Sequence, residues 1–210
     1  MNKKEQKPRI EVMLDMETFD IAETAAIIEV ALIPFFLDDT EDYDDGYICH
    51  TIDVTSCLME GMTVDKDTQQ WWMEKPAKTK WHFSMQEHHT IRHSMEEIYN
   101  WLLRIGEVYE VHLWCRGLNF DVPKLERCFR VLLEKKEIPY RWWNVEDARC
   151  YCRNRDVHTT DIEFVGTPHT AEDDCRHQIK LVQKAWKVEQ YLQDCRKIVE
   201  QKPSNPKPTL

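Results

Sequence analysis

Residues 10–20 read IEVMLDMETFD, a short apolar run from Ile10 to Leu14 that ends directly against three acids, Asp15, Glu17 and Asp20. The run reads as a strand, and in an extended strand residues two apart point to the same face. A strand that persists through the acids therefore sets Asp15 and Glu17 side by side at its end. Two like charges so placed repel unless a proton or a cation lies between them. The first strand must then end at a site, and other elements must complete that site.

The order of elements supplies candidates. IEVML (10–14), AAIIEVALIPFF (25–36) and YICHTIDV (47–54) read as three strands of an antiparallel meander. DKDTQQWWMEK and AKTKWHF read as short helices separated at Pro76. SMEEIYNWLLRIG reads as a helix with Ser94 as N-cap, Glu97 closing a capping box and Gly106 as the stop. EVHLWC (110–115) reads as a buried strand, followed by the loop RGLNFDV and a helix opened by Pro123. A helix around 145–153 and a long helix over 170–195, capped by Thr170, complete the order. The pattern predicts an α/β fold, a mixed central sheet whose antiparallel three-strand meander is extended by a later strand and flanked by helices.

With 210 residues, 42% of them hydrophobic, and eight Trp, the chain has material for one domain over residues 10–198. An N-terminal arm (1–9) and a polar, Pro-rich tail (199–210), expected to be disordered, flank it. DDTEDYDD (38–45) reads as a solvated hairpin loop. No apolar run is long enough to span a bilayer, so the expectation is a soluble, cytoplasmic protein with no membrane partner. The eight Cys form no C-x-x-C pair and read as reduced, mostly buried thiols. A net charge of -10 speaks against a nucleic-acid partner over long range, yet bound divalent cations reverse the sign of a small cleft.

Two further acids stand where ligands collect. Asp121 lies just beyond the strand EVHLWC, and Asp174 lies early in the last helix with His169 on the loop ahead of it. Singly, each has a bland explanation: a turn residue, an acid opposed to the helix dipole, a surface histidine. Together, in this order, they resemble the DEDD exonuclease superfamily, with its ribonuclease H-like fold, in the subgroup with His five residues before the last Asp. D-x-E-T appears as Asp15, Glu17 and Thr18, the F-D motif as Phe120 and Asp121, and H-x-A-x-x-D as His169, Ala171 and Asp174. The other subgroup has Tyr four residues before the last Asp, where this chain has Thr170. The wider family usually has Asn four residues before the second Asp, where this chain has Gly117. That variant, with QWWMEKPAKTKW and WWNVEDARCYCRNRDV, is similar to the exonuclease A group of T-even phages and, more distantly, to the adenosine-preferring exoribonucleases of bacteria. The resemblance implies a 3'-5' exonuclease that releases nucleoside 5'-monophosphates from the 3' end of single-stranded nucleic acid, with a homodimer as the assembly to look for; it leaves DNA against RNA open, and DNA is the expectation here. It carries His169, Asp15, Glu17, Asp121 and Asp174 over as catalytic residues, the four acids as metal ligands, and Thr18 and Phe120 as substrate contacts.

The residue chemistry agrees. Phosphodiester hydrolysis is served by two Mg2+ or Mn2+ ions ~4 Å apart, and such hard cations take carboxylate oxygens. His169 has the titration range of a general base, on a loop expected to order when substrate binds. Arg116, Lys124 and Arg127 flank the second motif and can steer phosphates, with surface ion pairing the alternative for the last two. Adjacent in a helix, Trp71 and Trp72 cannot both face a core, so one is a candidate stacking platform for a base, and packing of both in a shallow core is the alternative. Trp142 and Trp143 are expected to pack in the core, and Asp147 and Arg149 to start a helix and pair with each other. Two rival classes remain: a non-catalytic nucleic-acid mimic or binding module, which would lack a motif carboxylate or the His, and a hydrolase of small nucleotides.

Overall fold

The structure, a computed structural model, describes residues 7–38 and 46–200. Residues 39–45 of the expected acidic loop and 201–210 of the expected tail lie outside the described residues. In chain order the elements are β1 (Arg9–Thr18), β2 (Ile27–Phe35), β3 (Ile48–Ile52), α1 (Val54–Met59), α2 (Lys66–Met73), α3 (Ala77–Met85) and β4 (His88–His89). They continue with α4 (Ile91–Val108), β5 (Glu110–Cys115), α5 (Asp121–Arg127), β6 (Val145–Asp147), α6 (Ala148–Arg153) and α7 (Ala171–Glu200). The strands form one mixed sheet in the order β4-β3-β2-β1-β5-β6. The meander β1-β2-β3 is antiparallel, as expected, and β5 extends it in parallel beside β1. No helix among the described residues is long and apolar enough to cross a membrane.

Strand parity decides what each face of β1 meets. Val12, Leu14 and Met16 join Ile98 and Leu102 of α4 in one core, while Met13 joins Ala31 of β2 and Cys175 and Val182 of α7 in the other. β1 runs on through Thr18, so Asp15 and Glu17, in phase with Met13, face α7. Small side chains let the first turn of α7 approach closely. Cys175 Sγ lies 3.6 Å from the carbonyl of Met13 and 3.7 Å from that of Ala31. Glu29, opposite Glu17 on β2 and 1% exposed, accepts from the Ala171 amide at 2.6 Å and is joined by His82 Nε2 at 2.8 Å. One buried carboxylate thus ties β2, α3 and the start of α7. Thr170, expected as the helix cap, instead donates its hydroxyl to the Thr167 carbonyl at 2.9 Å.

Other differences have local causes. α4 starts four residues earlier than expected: Thr90 is its N-cap, Ser94 is buried inside it, and Gly106 is interior. α5 starts at Asp121, with Pro123 as its third residue, where a missing N–H still leaves no helical bond unmade. The segment expected as a helix from 145 begins as the short strand β6 and becomes helical only at Ala148, where Asp147 accepts from the Cys150 amide at 2.7 Å. Trp142 and Trp143 do not enter the core: they are 76% and 57% exposed, packed edge to face on each other in a single 3-10 turn. α1 and β4 are too short to show in the hydrophobic pattern. All eight cysteines are free, and five are buried.

Replacing Glu29 by Ala removes the acceptor of an otherwise unpartnered helix amide and the partner of His82. The expected cost is ~1–3 kcal/mol of unfolding free energy, read by urea titration. A variant as stable as the parent would refute the tie.

Candidate active site

The carboxyl end of β1 outruns its parallel neighbour. Pairing with β5 ends at Leu14 opposite Cys115, and beyond it the Asp121 carboxylate lies close to the Met16 backbone, which favours its charged form. Asp121, 5% exposed, is the first residue of α5, set there by the loop after β5. Gly117 in that loop has φ 131°, a conformation that L side chains rarely adopt, which gives a backbone reason for glycine at this position. Asp174 comes from the first turn of α7 and accepts from the backbone amide of His169 at 3.0 Å. Asp15 accepts from Gln178 Nε2, one turn further along α7, at 2.7 Å. The structure thus brings Asp15, Glu17, Asp121 and Asp174 together from β1, α5 and α7. The tightest group is Glu17, His169 and Asp174, whose ligand atoms lie within 4.8 Å of one another.

Crowding and burial act in one direction. Desolvation, followed by the charges of Asp121 and Asp174, raises Asp15 well above the usual carboxylate range. Desolvation and Asp15 do the same to Glu17. Desolvation pushes Asp121 up to about 7 against the opposing pull of Lys124, and pushes Asp174 up to about 6 against the His169 amide and the Arg116 charge. Lys124 is not a surface residue: it is 1% exposed, with Nζ 3.1 Å from the Phe120 carbonyl and 3.3 Å above that residue's ring. A donor set of carboxylate oxygens with one imidazole, each acid disfavouring the charge of the next, suits a hard divalent cation.

His169 does not stand free on its loop. Its φ is 63°, and its ring packs edge to face against Trp71 at 4.9 Å and lies 6.4 Å from Trp72. Desolvation and nearby Lys75 lower its pKa, so the imidazole is neutral at neutral pH. The loop is braced from within. Asp173 accepts from the Thr167 amide at 2.7 Å, and a Cβ on Gly166 (φ 113°) would lie 2.3 Å from that carboxyl group.

The tryptophans divide as only one of the two readings allowed. Trp72 is buried, its Nε1 donating to the Thr18 carbonyl at 2.9 Å, whereas Trp71 is 40% exposed with Lys75 Nζ 3.3 Å above its ring. Both line a cleft of about 570 Å³ beside Glu17, together with Thr18 and Phe120. Arg116 lies elsewhere, in a separate pocket with Gln178. Sequence reasoning missed Glu29, Gln178 and the burial of Lys124. A lone acid inside the apolar run IIEVALI was the one available signal for the first.

Unfolded, Asp121 and Asp174 titrate in the ordinary range near ~4; folded, they titrate near about 7 and about 6. Between these limits the metal-free fold binds more protons than the unfolded chain, so the stability held below ~pH 4 is lost as pH rises through both folded values. In chelator, Tm is expected to fall between ~pH 4 and ~pH 7, and saturating Mn2+ to remove the fall. A flat profile in chelator would show that these acids are not buried together.

A model of the 3'-5' exoribonuclease Rv2179c-like domain matches residues 10–186. No curated protein matches the sequence. Among solved structures, the chain is similar to the nuclease domain of 3'hExo, a DEDDh family member bound to rAMP, with TM-score 0.56 and 11% identity, covering 86% of this chain and 92% of that one. It is also similar to exonuclease I, with TM-score 0.58 and 14% identity over 88% of this chain and 43% of that one. E. coli exonuclease I in complex with a dT13 oligonucleotide gives TM-score 0.51 and 12% identity over 89% and 43%. The chain therefore spans less than half the length of the exonuclease I chains it matches. With the mixed sheet, these likenesses give the ribonuclease H-like fold expected from the motifs. With the family model covering most of its length, the chain belongs to the 3'-5' exoribonuclease Rv2179c-like family of 3'-5' exonucleases.

Proposed function

We propose that this protein hydrolyses single-stranded nucleic acid from the 3' end, releasing nucleoside 5'-monophosphates, with two Mg2+ or Mn2+ ions held by Asp15, Glu17, Asp121 and Asp174. The observation that carries the reading is the convergence of four carboxylates, each raised in pKa, with a neutral histidine beside an aromatic cleft. Bound there, such cations would supply a water of lowered pKa and positive charge for the phosphoryl and departing 3' oxygens. The remaining roles belong to the chain. His169, neutral and packed on Trp71, accepts the proton of the attacking water. Trp71 offers its exposed face to the terminal base, a contact worth ~1–3 kcal/mol, while Trp72 fixes the cleft wall through its bond to Thr18. Phe120 and Thr18 close the other sides.

The sequence expectation is DNA. The family description, an exoribonuclease, and the rAMP bound to one structural neighbour support RNA. Digestion of 5'-labelled DNA and RNA of one sequence, with Mg2+ or Mn2+, separates the two. The expected result is a shortening ladder that requires metal and slows by ~10²-fold or more in Asp174→Ala, the faster substrate giving the sugar preference. Absence of a ladder on both strands, with metal bound, would overturn the exonuclease reading and favour a binding protein or a nucleotide hydrolase.

A further inference from the structure

On the α7 side of the acids, a pocket of about 250 Å³ opens between α6, α7 and the loop after β5. Ala148, Cys152 and Leu181 contribute an apolar floor, and the rim carries Arg116, Arg149 and Arg153. Three guanidiniums on one small cavity are notable in a chain of net charge -10, and among the described residues none of the three forms an ion pair with a carboxylate. Arg149 Nη2 donates to the Arg116 carbonyl at 3.3 Å, and Arg153 reaches only Cys150 Sγ at 3.8 Å. Solvated surface arginines would account for the rim alone, but not for Gln178. That side chain lines the pocket, is 4% exposed, and donates Nε2 to Asp15, while its Oε1 is buried with no partner. A buried acceptor left without a donor is costly; a ribose hydroxyl of a strand lying here, or an ordered water beside it, would supply the donor, while the guanidiniums of the rim are the partners for a phosphate.

The pocket shares no lining residue with the aromatic cleft, and the acids lie between the two: Glu17 lines the cleft, and Asp15 is bonded to Gln178 of the pocket. A strand whose 3'-terminal nucleoside fills the cleft and whose scissile phosphate sits at the acids must leave on the other side. We propose that the arginine pocket seats the phosphodiester immediately 5' of the scissile one, so that the strand crosses the acids from the Trp71 cleft to the arginine rim. This rests on the exonuclease reading and adds to it a second phosphate subsite. Arginine suits the task because its planar fork binds two phosphate oxygens at once.

A dinucleotide with a free 5' hydroxyl contains only the scissile phosphodiester, and a trinucleotide adds the one assigned to the pocket. Arg153→Ala, an exposed change, tests the difference. The expected result is a KM for the trinucleotide that rises ~10-fold more than the KM for the dinucleotide, with a larger rise for Arg153→Glu. Anisotropy of a labelled trinucleotide in Ca2+ should lose ~0.7 from the slope of log affinity against log salt. Equal changes on both substrates, or no change on the trinucleotide, would overturn the proposal. A weakened inhibition by free nucleoside 5'-monophosphate with the trinucleotide KM unmoved would assign the pocket to the product and overturn it as well. If the parent protein cleaves neither substrate, the exonuclease reading fails, and the anisotropy comparison still decides whether the pocket holds a phosphodiester.

Discussion

A carboxylate buried at the amino end of a helix does two things at once: it takes an amide hydrogen that no helical carbonyl can reach, and it opposes the positive end of the helix dipole. Glu29 does this for α7, and with His82 and the Thr51 hydroxyl as further partners it fixes α3 and β3 to the same point. The parts of the site that come from α7 and the loop ahead of it depend on that seat. Asp174 and Gln178 project from the first turns of α7, and His169 immediately precedes it. Thr79 Oγ1 adds a bond from α3 to the Pro168 carbonyl at 3.3 Å, so the helices that carry the tryptophans and the loop that carries His169 are held as one wall. The cost is electrostatic. Glu29 is a further negative charge beside Asp15 and Glu17 and adds to the upward shift of both.

Compensation for these charges from the chain itself is sparse and lopsided. Lys124 sits behind Asp121, buried against Phe120, and Arg116 acts on Asp174 from the other side. Two cationic side chains cannot neutralise four crowded acids, and the remaining imbalance suits a divalent cation better than a phosphate bound directly. The polarity of the surroundings follows. One flank of the acids is aromatic, with Trp71 and Phe120, and the other is cationic, with Arg116 and its neighbours. A base and a phosphate backbone ask for different surfaces, and the proposed path of the strand matches an aromatic flank on one side to a cationic flank on the other.

How much of this was legible from the sequence depended on the range of the interactions. The meander, β5 and the long final helix follow from local periodicity, and the side-by-side placement of Asp15 and Glu17 follows from strand parity once β1 runs through them. The convergence of Asp121 and Asp174 on that pair came from motif order, because no local rule brings α5 and α7 to one strand end. Glu29 and Gln178 escaped notice because each acts on a residue more than a hundred positions away. Lys124 escaped because its spacing from Asp121 on a short helix also suits an exposed pair. Trp142 and Trp143 misled for the opposite reason. Large aromatics promise burial, but here they occupy one tight turn at the entrance to β6, where Arg141 lies over the Trp143 ring at 5.5 Å.

Asp147 and Arg149 illustrate how a pair expected to bind each other can serve a third element instead. Asp147 caps α6 and also receives the amide of Leu118 at 3.4 Å, while Arg149 gives its guanidinium to the carbonyl of Arg116 at 3.3 Å. Both bonds grip the loop between β5 and α5, on either side of Gly117. That glycine has left-handed freedom and no side chain, and a Cβ there would meet nothing within 4 Å, so the turn has little packing of its own to define it. Two side chains from α6 and its cap supply the definition from outside. Since Phe120 and Asp121 follow directly, a loop clamped at residues 116 and 118 sets where α5 begins, and with it where the Asp121 carboxylate meets the Met16 backbone. The short β6–α6 unit, which contributes no acid to the site, is therefore what holds the second motif in register with the first.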